Sequence, residues 1–361
     1  MTPTHVASRM GNVLWGLLPS EHDPFVAKIR SGDVITVDAL SHEGIMEDQG
    51  RDPRRWLESR GLDPSLVLPD AVEIAGEYPG RDPLADGPHV VTGPIGVEGA
   101  EPGDVLRVDY LELLPRTPFG VVSSRHGYGA LPGEYPLEST VPLGDPEIEW
   151  PGLVSVLCSL EGDRGSERLL IKPRGALPAI ELPFAPFLGL VGVVPAGTGR
   201  LNSIPPSDYG GNMDIRDLVT GTSLYLPVQI EGAGLYLGDP HYAQGHGEVA
   251  LTAVEASLAA TIRVSVLKGA AATSLVGALT TPFGESATHW FCVGMDRDLD
   301  EAMRRSVREA LRFLRERFSI PTEEAYAYLS AAADFVVTQV VDGVKGVHCQ
   351  LRKQDFRSYL V

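Results

Sequence analysis

Glycine and proline interrupt this chain so often that only its C-terminal part reads as plainly helical. The 40 glycines and 29 prolines are scattered through 361 residues without a period. Proline breaks helix interiors and central strands, and glycine loses the most backbone freedom on ordering. That pattern favours many short strands joined by tight turns. The expected fold is mainly β, with sandwich- or barrel-like sheets, α+β overall, and a helical C-terminal segment. Three stretches divide the chain: a β-rich 1–115, a β-rich 116–290 and a helical 291–361 with a final strand. They are expected to interlock in one unit.

Local patterns sharpen this outline. Residues 25–40 alternate apolar and polar around Ser31-Gly32-Asp33, a hairpin signal. Residues 50–86, rich in Asp, Pro, Gly and Arg, suit a surface excursion with one short helix near 53–60. The segments before and after Gly99-Ala100-Glu101-Pro102-Gly103 read as two strands, the second over 105–113. Runs at 153–160, 168–172 and 187–194 are strand-like, and the last, FLGLVGVV, is apolar throughout and so buried on both faces. Residues 251–269 mix Ala and Leu with Thr, Ile and Val, and are read as strand. The long, weakly periodic stretches 45–85 and 115–152 either shape a pocket or are surface insertions. Asp298 with Glu301 resembles a capping box, and Met303, Val307, Leu311, Leu314 and Phe318 form one apolar helical face. That face packs on its own core or on a second subunit, and a homo-oligomer is expected. After Pro321 a second helix runs to about 337, and the alternating VHCQLRKQDF returns a strand to a sheet edge.

The net charge of −18 repels nucleic-acid phosphates and anionic lipid, so neither is an expected partner; a neutral or cationic small substrate meets no such penalty. Three cysteines without CxxC spacing argue against a disulfide framework and fit a reducing cytoplasm. No apolar run has the length of a membrane span. Nucleophilic motifs are missing: there is no G-x-S-x-G elbow, P-loop or dinucleotide fingerprint.

The densest chemistry lies in Tyr209–Glu248, which closes on Asp239-x-His241-x-x-x-x-His246-x-Glu248. Side chains two apart on a strand share a face, so Asp239 and His241 point together. His246 and Glu248 join them if the chain reverses around Gly245. Carboxylates and imidazoles are the usual Zn²⁺ ligands, and bound Zn²⁺ makes a hydroxide nucleophile available at neutral pH. The spacing matches neither HExxH nor a zinc finger, and a polar hairpin whose histidines bond backbone carbonyls is an equal alternative. In Gly210-Gly211-Asn212-Met213-Asp214, Asn212 can donate to a developing oxyanion, although an Asx-turn explains the same residues. His42, His89, His126 and His289 are each isolated, and isolated histidines more often serve a core or surface than a site.

The segments HVVTGPIGVEGAEPGD (89–104), PPSDYGGNMD (205–214), LYLPVQIEGAGLYLGDPHYAQGHGE (224–248) and GVH (346–348) resemble the acetamidase/formamidase family, in its order. The resemblance implies a β-rich fold, hydrolysis of short-chain amides to carboxylate and ammonia, and a metal site among the acidic and His positions. It carries over onto His89, Asn212, Asp214, Asp239, His241, Gln244 and Glu248. Two positions depart: His246 stands where the family usually has Asp, and Leu14 precedes Trp15-Gly16 where many members have His. On this reading one metal, Zn²⁺, is held by a subset of His89, Asp214, Asp239 and His241, with His246 as an extra ligand. Glu248 is the general base that takes a proton from metal-activated water, while Asn212 and Gln244 hold the amide. The competing readings are a catalytically degenerate metal- or ligand-binding β-protein and an amidase acting on a larger or cyclic amide.

Overall fold

A computed structural model describes residues 4–137, 152–173, 175–197 and 199–359. Its regular structure is mainly β-sheet, followed by a helical C-terminal segment. Residues 138–151 of the 115–152 stretch lie outside the described residues.

The largest sheet has nine strands. In spatial order they are Thr4–Val6, Val34–Ala39, Leu258–Leu267, Val105–Pro115, Ser223–Pro227, Phe283–Glu285, His289–Asp296, Lys345–Arg352 and Asp334–Gln339. A six-stranded sheet runs Gly210–Asn212, Phe187–Val193, Leu235–His241, Val90–Glu98 and Val13–Trp15, with Ala27–Arg30 parallel to Val90–Glu98. Between them lies the main core. Ile35, Val37, Leu106, Val108, Leu224, Ile262 and Val264 of the large sheet meet Ile95, Leu188, Val191, Val193, Leu235 and Leu237 of the smaller one. Alternation accounts for it: Leu258, Ala260, Ile262 and Val264 are buried while the residues between them are not fully so. The strand Phe187–Val193 is buried at every residue, as its apolar run requires.

The opposite face of the large sheet carries the C-terminal helices. Leu299–Phe318 is capped by Asp298, whose side chain accepts the Glu301 N–H, a contact worth about 1 kcal/mol. Its buried face is centred on Ala302, Ser306, Ala310, Phe313 and Leu314, while Val307 and Leu311 are only partly covered. The shift has a steric cause. A side chain at Gly294 would overlap the backbone of Ala302 and Ser306, so helix and strand approach closely and the contact row must be small. This face packs on the chain's own Trp290, Cys292, Cys349 and Leu351.

Several local expectations are corrected. The strands flanking Ser31-Gly32-Asp33 do not form a hairpin: Ala27–Arg30 joins the six-stranded sheet and Val34–Ala39 the nine-stranded one. The turn is there, with Asp33 N–H donating to the Arg30 carbonyl, but the two strands serve opposite layers of the sandwich. The 50–86 excursion holds Pro53–Glu58 and also Pro69–Glu77, and it buries Trp56, Leu57, Ala71 and Ile74 against the sheets. Phe119–Arg125 is a strand inside a stretch read as loop, and it begins a four-stranded sheet with Leu153–Glu161, Arg168–Ile171 and Ile180–Pro183. Strand structure in 251–269 begins only at Leu258. The second C-terminal helix stops at Ala332, because the β-branched Val336, Val337 and Thr338 pair as strand. Lys345–Arg352 lies one strand in from the edge, covered by Asp334–Gln339.

Candidate active site

Strand Leu235–His241 ends at the centre of a buried acid–imidazole cluster. His241 Nε2 lies 3.0 Å from Asp239 Oδ2 and 3.0 Å from Glu255 Oε1, and its Nδ1 is 3.9 Å from Asp214 Oδ1. Asp239 therefore does point with His241, as alternation predicts. The other Asp239 oxygen, Oδ1, is 3.7 Å from both His42 Nδ1 and His89 Nε2. Glu248 joins Asp214 and His241 in a further group of converging ligand atoms.

Local backbone geometry makes this convergence possible. Asp214, Asp239 and Glu248 all adopt left-handed φ values, 53°, 49° and 45°. Such a conformation is costly outside glycine and clusters at functional positions. Asp214 follows the Gly210–Asn212 edge strand, with its N–H bonded to the Gly189 carbonyl. A Cβ at Gly189 would overlap Asp214 Oδ1 and stand 2.7 Å from Asp239 Oδ2 and 2.8 Å from His241 Cε1. That glycine leaves the space in which the acids gather.

The same geometry separates His246 from the other predicted ligands. Gly247 and Glu248 are both left-handed, so alternation fails across the turn, and Glu248 faces Asp214 while His246 faces Asp217 and His348. Gln244 is held by its amide nitrogen, which donates to the Asp214 carbonyl at 2.9 Å and leaves Oε1 buried and unbonded. Asn212 Oδ1 is likewise buried without a partner.

The charges in this cluster do not balance by themselves. Burial, reinforced by Asp239, pushes Asp214 up to about 7. Burial together with neighbouring carboxylates drives Glu248, Glu255 and Asp342 well above the usual carboxylate range. Asp239 goes the other way: burial opposes its charge, but the His241 imidazolium holds it ionised. Burial outweighs the pull of Asp239 on His42 and His89 and keeps both neutral, whereas the carboxylates of Asp239 and Glu255 keep His241 cationic. Carboxyls packed this closely need protons or a bound cation to coexist. Unpartnered buried atoms include His42 Nδ1, both Asp214 oxygens, Asp239 Oδ1, Glu248 Oε2 and Glu255 Oε2. Two neutral imidazoles and an ionised carboxylate aimed at one point form a donor set that suits a divalent metal.

Partners around the cluster orient it. His89 Nδ1 bonds Ser203 Oγ at 2.9 Å, which leaves Nε2 to face Asp239. Beside His42 a buried network runs from Glu43 to Arg125 and Asp48, with Ser123 Oγ and Gln49 Nε2 donating to Glu43 Oε2. A small cavity of about 40 Å³ touches Glu43 and Glu255 and is otherwise lined mainly by apolar side chains such as Trp56 and Leu66. The wider cleft of about 630 Å³, at Glu21, Phe25, Lys28 and Glu231, shares no residue with the cluster.

The family-wide sequence profile described as the Acetamidase/Formamidase family matches residues 194–351, which contain Asp214, Asp239, His241, Gln244, Glu248 and Glu255. An acetamidase structure from Bacillus halodurans superposes over 99% of this chain and 100% of that one, with a TM-score of 0.72 and 25% identity. Over residues 194–351 the chain resembles the acetamidase/formamidase family. A formamidase of Methylophilus methylotrophus is 30% identical over 212 residues, 50% of this chain and 52% of that protein. An acetamidase of Mycolicibacterium smegmatis is 31% identical over 235 residues, 54% and 57% of the two. The aligned part thus spans about half the length of these relatives.

Within the cluster, sequence motifs do not point to His42, Glu255, Asp342 or Gly189. Glu255 is a lone acid in the apolar run Thr252–Leu258, and Asp342 lies six residues before His348 in the turn that opens the final strand. A single charge inside an otherwise buried run was the available signal for Glu255. His42 carried none beyond its neighbour Glu43. The three cysteines sit buried and unpaired away from the cluster, and burial raises their thiols, so none is an activated nucleophile. Among the described residues no helix is long and apolar enough to cross a membrane.

Proposed function

We propose that this protein hydrolyses short linear amides to a carboxylate and ammonia with the help of one divalent cation held by His42, His89 and Asp239. The observation that carries the reading is the buried convergence of ligand atoms of His42, His89 and Asp239, with His42 Nδ1 and Asp239 Oδ1 left unpartnered. Relatives named formamidase and acetamidase support a short amide as substrate. The cation, Zn²⁺ by the character of its donors, would supply Lewis acidity and lower the pKa of water.

The remaining chemistry belongs to side chains. Glu248, with Oε2 unbonded, takes the proton of the attacking water and delivers it to the nitrogen as the C–N bond breaks. Burial and its carboxylate neighbours raise it above the ordinary carboxylate range, which makes it a stronger base than a solvated carboxylate. Gln244, whose amide nitrogen is committed to the Asp214 carbonyl, turns Oε1 toward the substrate NH₂ as an acceptor, and Asn212 Oδ1 offers a second. Ser203 fixes the ring of His89. The depth of the cluster, with every member buried, selects for a compact neutral substrate.

Ammonia release from formamide, acetamide and propionamide tests the reading. Turnover should disappear on chelation and return with added Zn²⁺. Glu248→Gln should lower kcat by about 10²–10⁴-fold with metal content unchanged. Failure to release ammonia from any amide, or full turnover in the Gln variant, would sink it.

A further inference from the structure

His246 departs from the residue usual in the family this chain resembles and does not reach the deep cluster, yet it is not alone. Its Nε2 lies 3.8 Å from Asp217 Oδ2, and His348 Nε2 lies 3.1 Å from the same oxygen. The two rings are 5.7 Å apart and tilted by 51°, so they do not stack. Ligand atoms of all three residues fall within 4.8 Å of one another. We propose that Asp217, His246 and His348 form a second divalent-cation site, which clamps the turn carrying Glu248 to the C-terminal strand.

Several observations point the same way. Donors that share one Zn²⁺-like ion at about 2.0–2.2 Å lie roughly 3–3.5 Å apart, so Asp217 and His348 already stand at a suitable separation and His246 must move inward to join them. His246 Nδ1 is buried without a hydrogen-bond partner, and its Nε2 stands beyond hydrogen-bond reach of Asp217. A ring so placed in a folded protein calls for a ligand. His348 is oriented from behind: Thr338 Oγ1 holds its Nδ1 at 2.8 Å, the outer partner that metal-binding histidines commonly have. Gln350 Nε2 lies 3.3 Å from Asp217 Oδ2 and 3.2 Å from His348 Nε2, and an ion bound between these residues would displace the amide from the imidazole. Asp217 and His246 are about a quarter exposed, which gives an ion a route in and a position open to water. Two imidazoles and one carboxylate suit Zn²⁺ and its neighbours Co²⁺ and Ni²⁺ over Mg²⁺ or Ca²⁺. Arg216, whose Nη1 bonds the Gln244 carbonyl at 3.0 Å, faces His246 as a competing positive charge, so this site is the weaker of the two.

The mechanical consequence follows from chain connectivity. Gly247 N–H already donates to the Thr338 carbonyl at 3.0 Å, and Glu248 is the next residue. A cation bound by His246 on one side and His348 on the other would fix this turn at two points.

Titration of the metal-stripped full-length chain with Co²⁺, followed by its visible absorption, tests the proposal. Two classes of site are expected. His246→Asn and Asp217→Asn should each weaken the second class by at least about 100-fold, and Thr338→Val by about 10-fold, while the first class persists. Unfolding curves of the metal-free variants should match the parent. The proposal is overturned if His246→Asn binds as much Co²⁺ as the parent, or if the weaker class vanishes in His89→Ala and survives in His246→Asn. Since the readout is binding and not turnover, its failure leaves the amidase reading standing, and a chain inactive on amides can still show the second site.

Discussion

Glu285, partly buried, and Glu248, fully so, lie on opposite sides of the nine-stranded sheet, and their surroundings differ sharply. Glu285, on the helix side, receives Tyr225 Oη at 2.6 Å, Trp290 Nε1 at 3.3 Å and Lys353 Nζ at 2.5 Å. Although burial opposes its charge, Lys353 and Tyr225 hold its carboxyl below the usual range. Glu248, beside Asp214 and Asp342, has an unbonded oxygen and a carboxyl pushed well up. A satisfied buried acid is a structural part, whereas one left wanting a partner marks where a proton or ligand is to be exchanged. The same contrast separates neighbours in one strand: Cys349 and Leu351 face the helices, while His348 and Gln350, alternating with them, face Asp217.

This division into a structural face and a chemical face can be broken experimentally. The largest stability effect should come from Phe313→Ala, which empties the aromatic packing of Trp290, Phe283 and Phe318 and should cost about 3–5 kcal/mol in denaturant unfolding. Turnover per folded molecule should stay near the parent value; a parallel loss would mean that the two faces are coupled. Gly189→Ala should cost less, about 1–3 kcal/mol, yet abolish high-affinity metal binding, because its methyl fills the space among Asp214, Asp239 and His241. Intact metal binding in that variant would show that the acids can retreat. Asp298→Ala should cost about 1 kcal/mol through the lost helix cap, with metal binding and turnover untouched.

The sequence carried the elements whose pattern is local. The apolar run at Phe187–Val193, the capped helix from Leu299 and the strands around Gly99–Gly103 followed from period and turn chemistry. Sheet assignment did not, because nothing in residues 25–40 records that strands joined by a tight turn diverge into different layers. The site was legible where ligand-type residues crowd one motif, as with Asp239, His241 and Glu248. It was illegible where a partner arrives from far along the chain. His42 and Glu255 meet at Asp239 and His241 only because two sheets close on each other, and His246 was assigned to the wrong partners because alternation was assumed across two left-handed residues.

Those left-handed residues carry a cost of their own. Asp214, Asp239 and Glu248 each hold a backbone conformation that costs roughly 1–3 kcal/mol for a residue with a side chain. Glycine would relieve that strain at all three positions, so the stability of this chain and the retention of its acids are opposed there. A search for hardier variants guided by stability alone would drift toward glycine at these positions and discard the acids first.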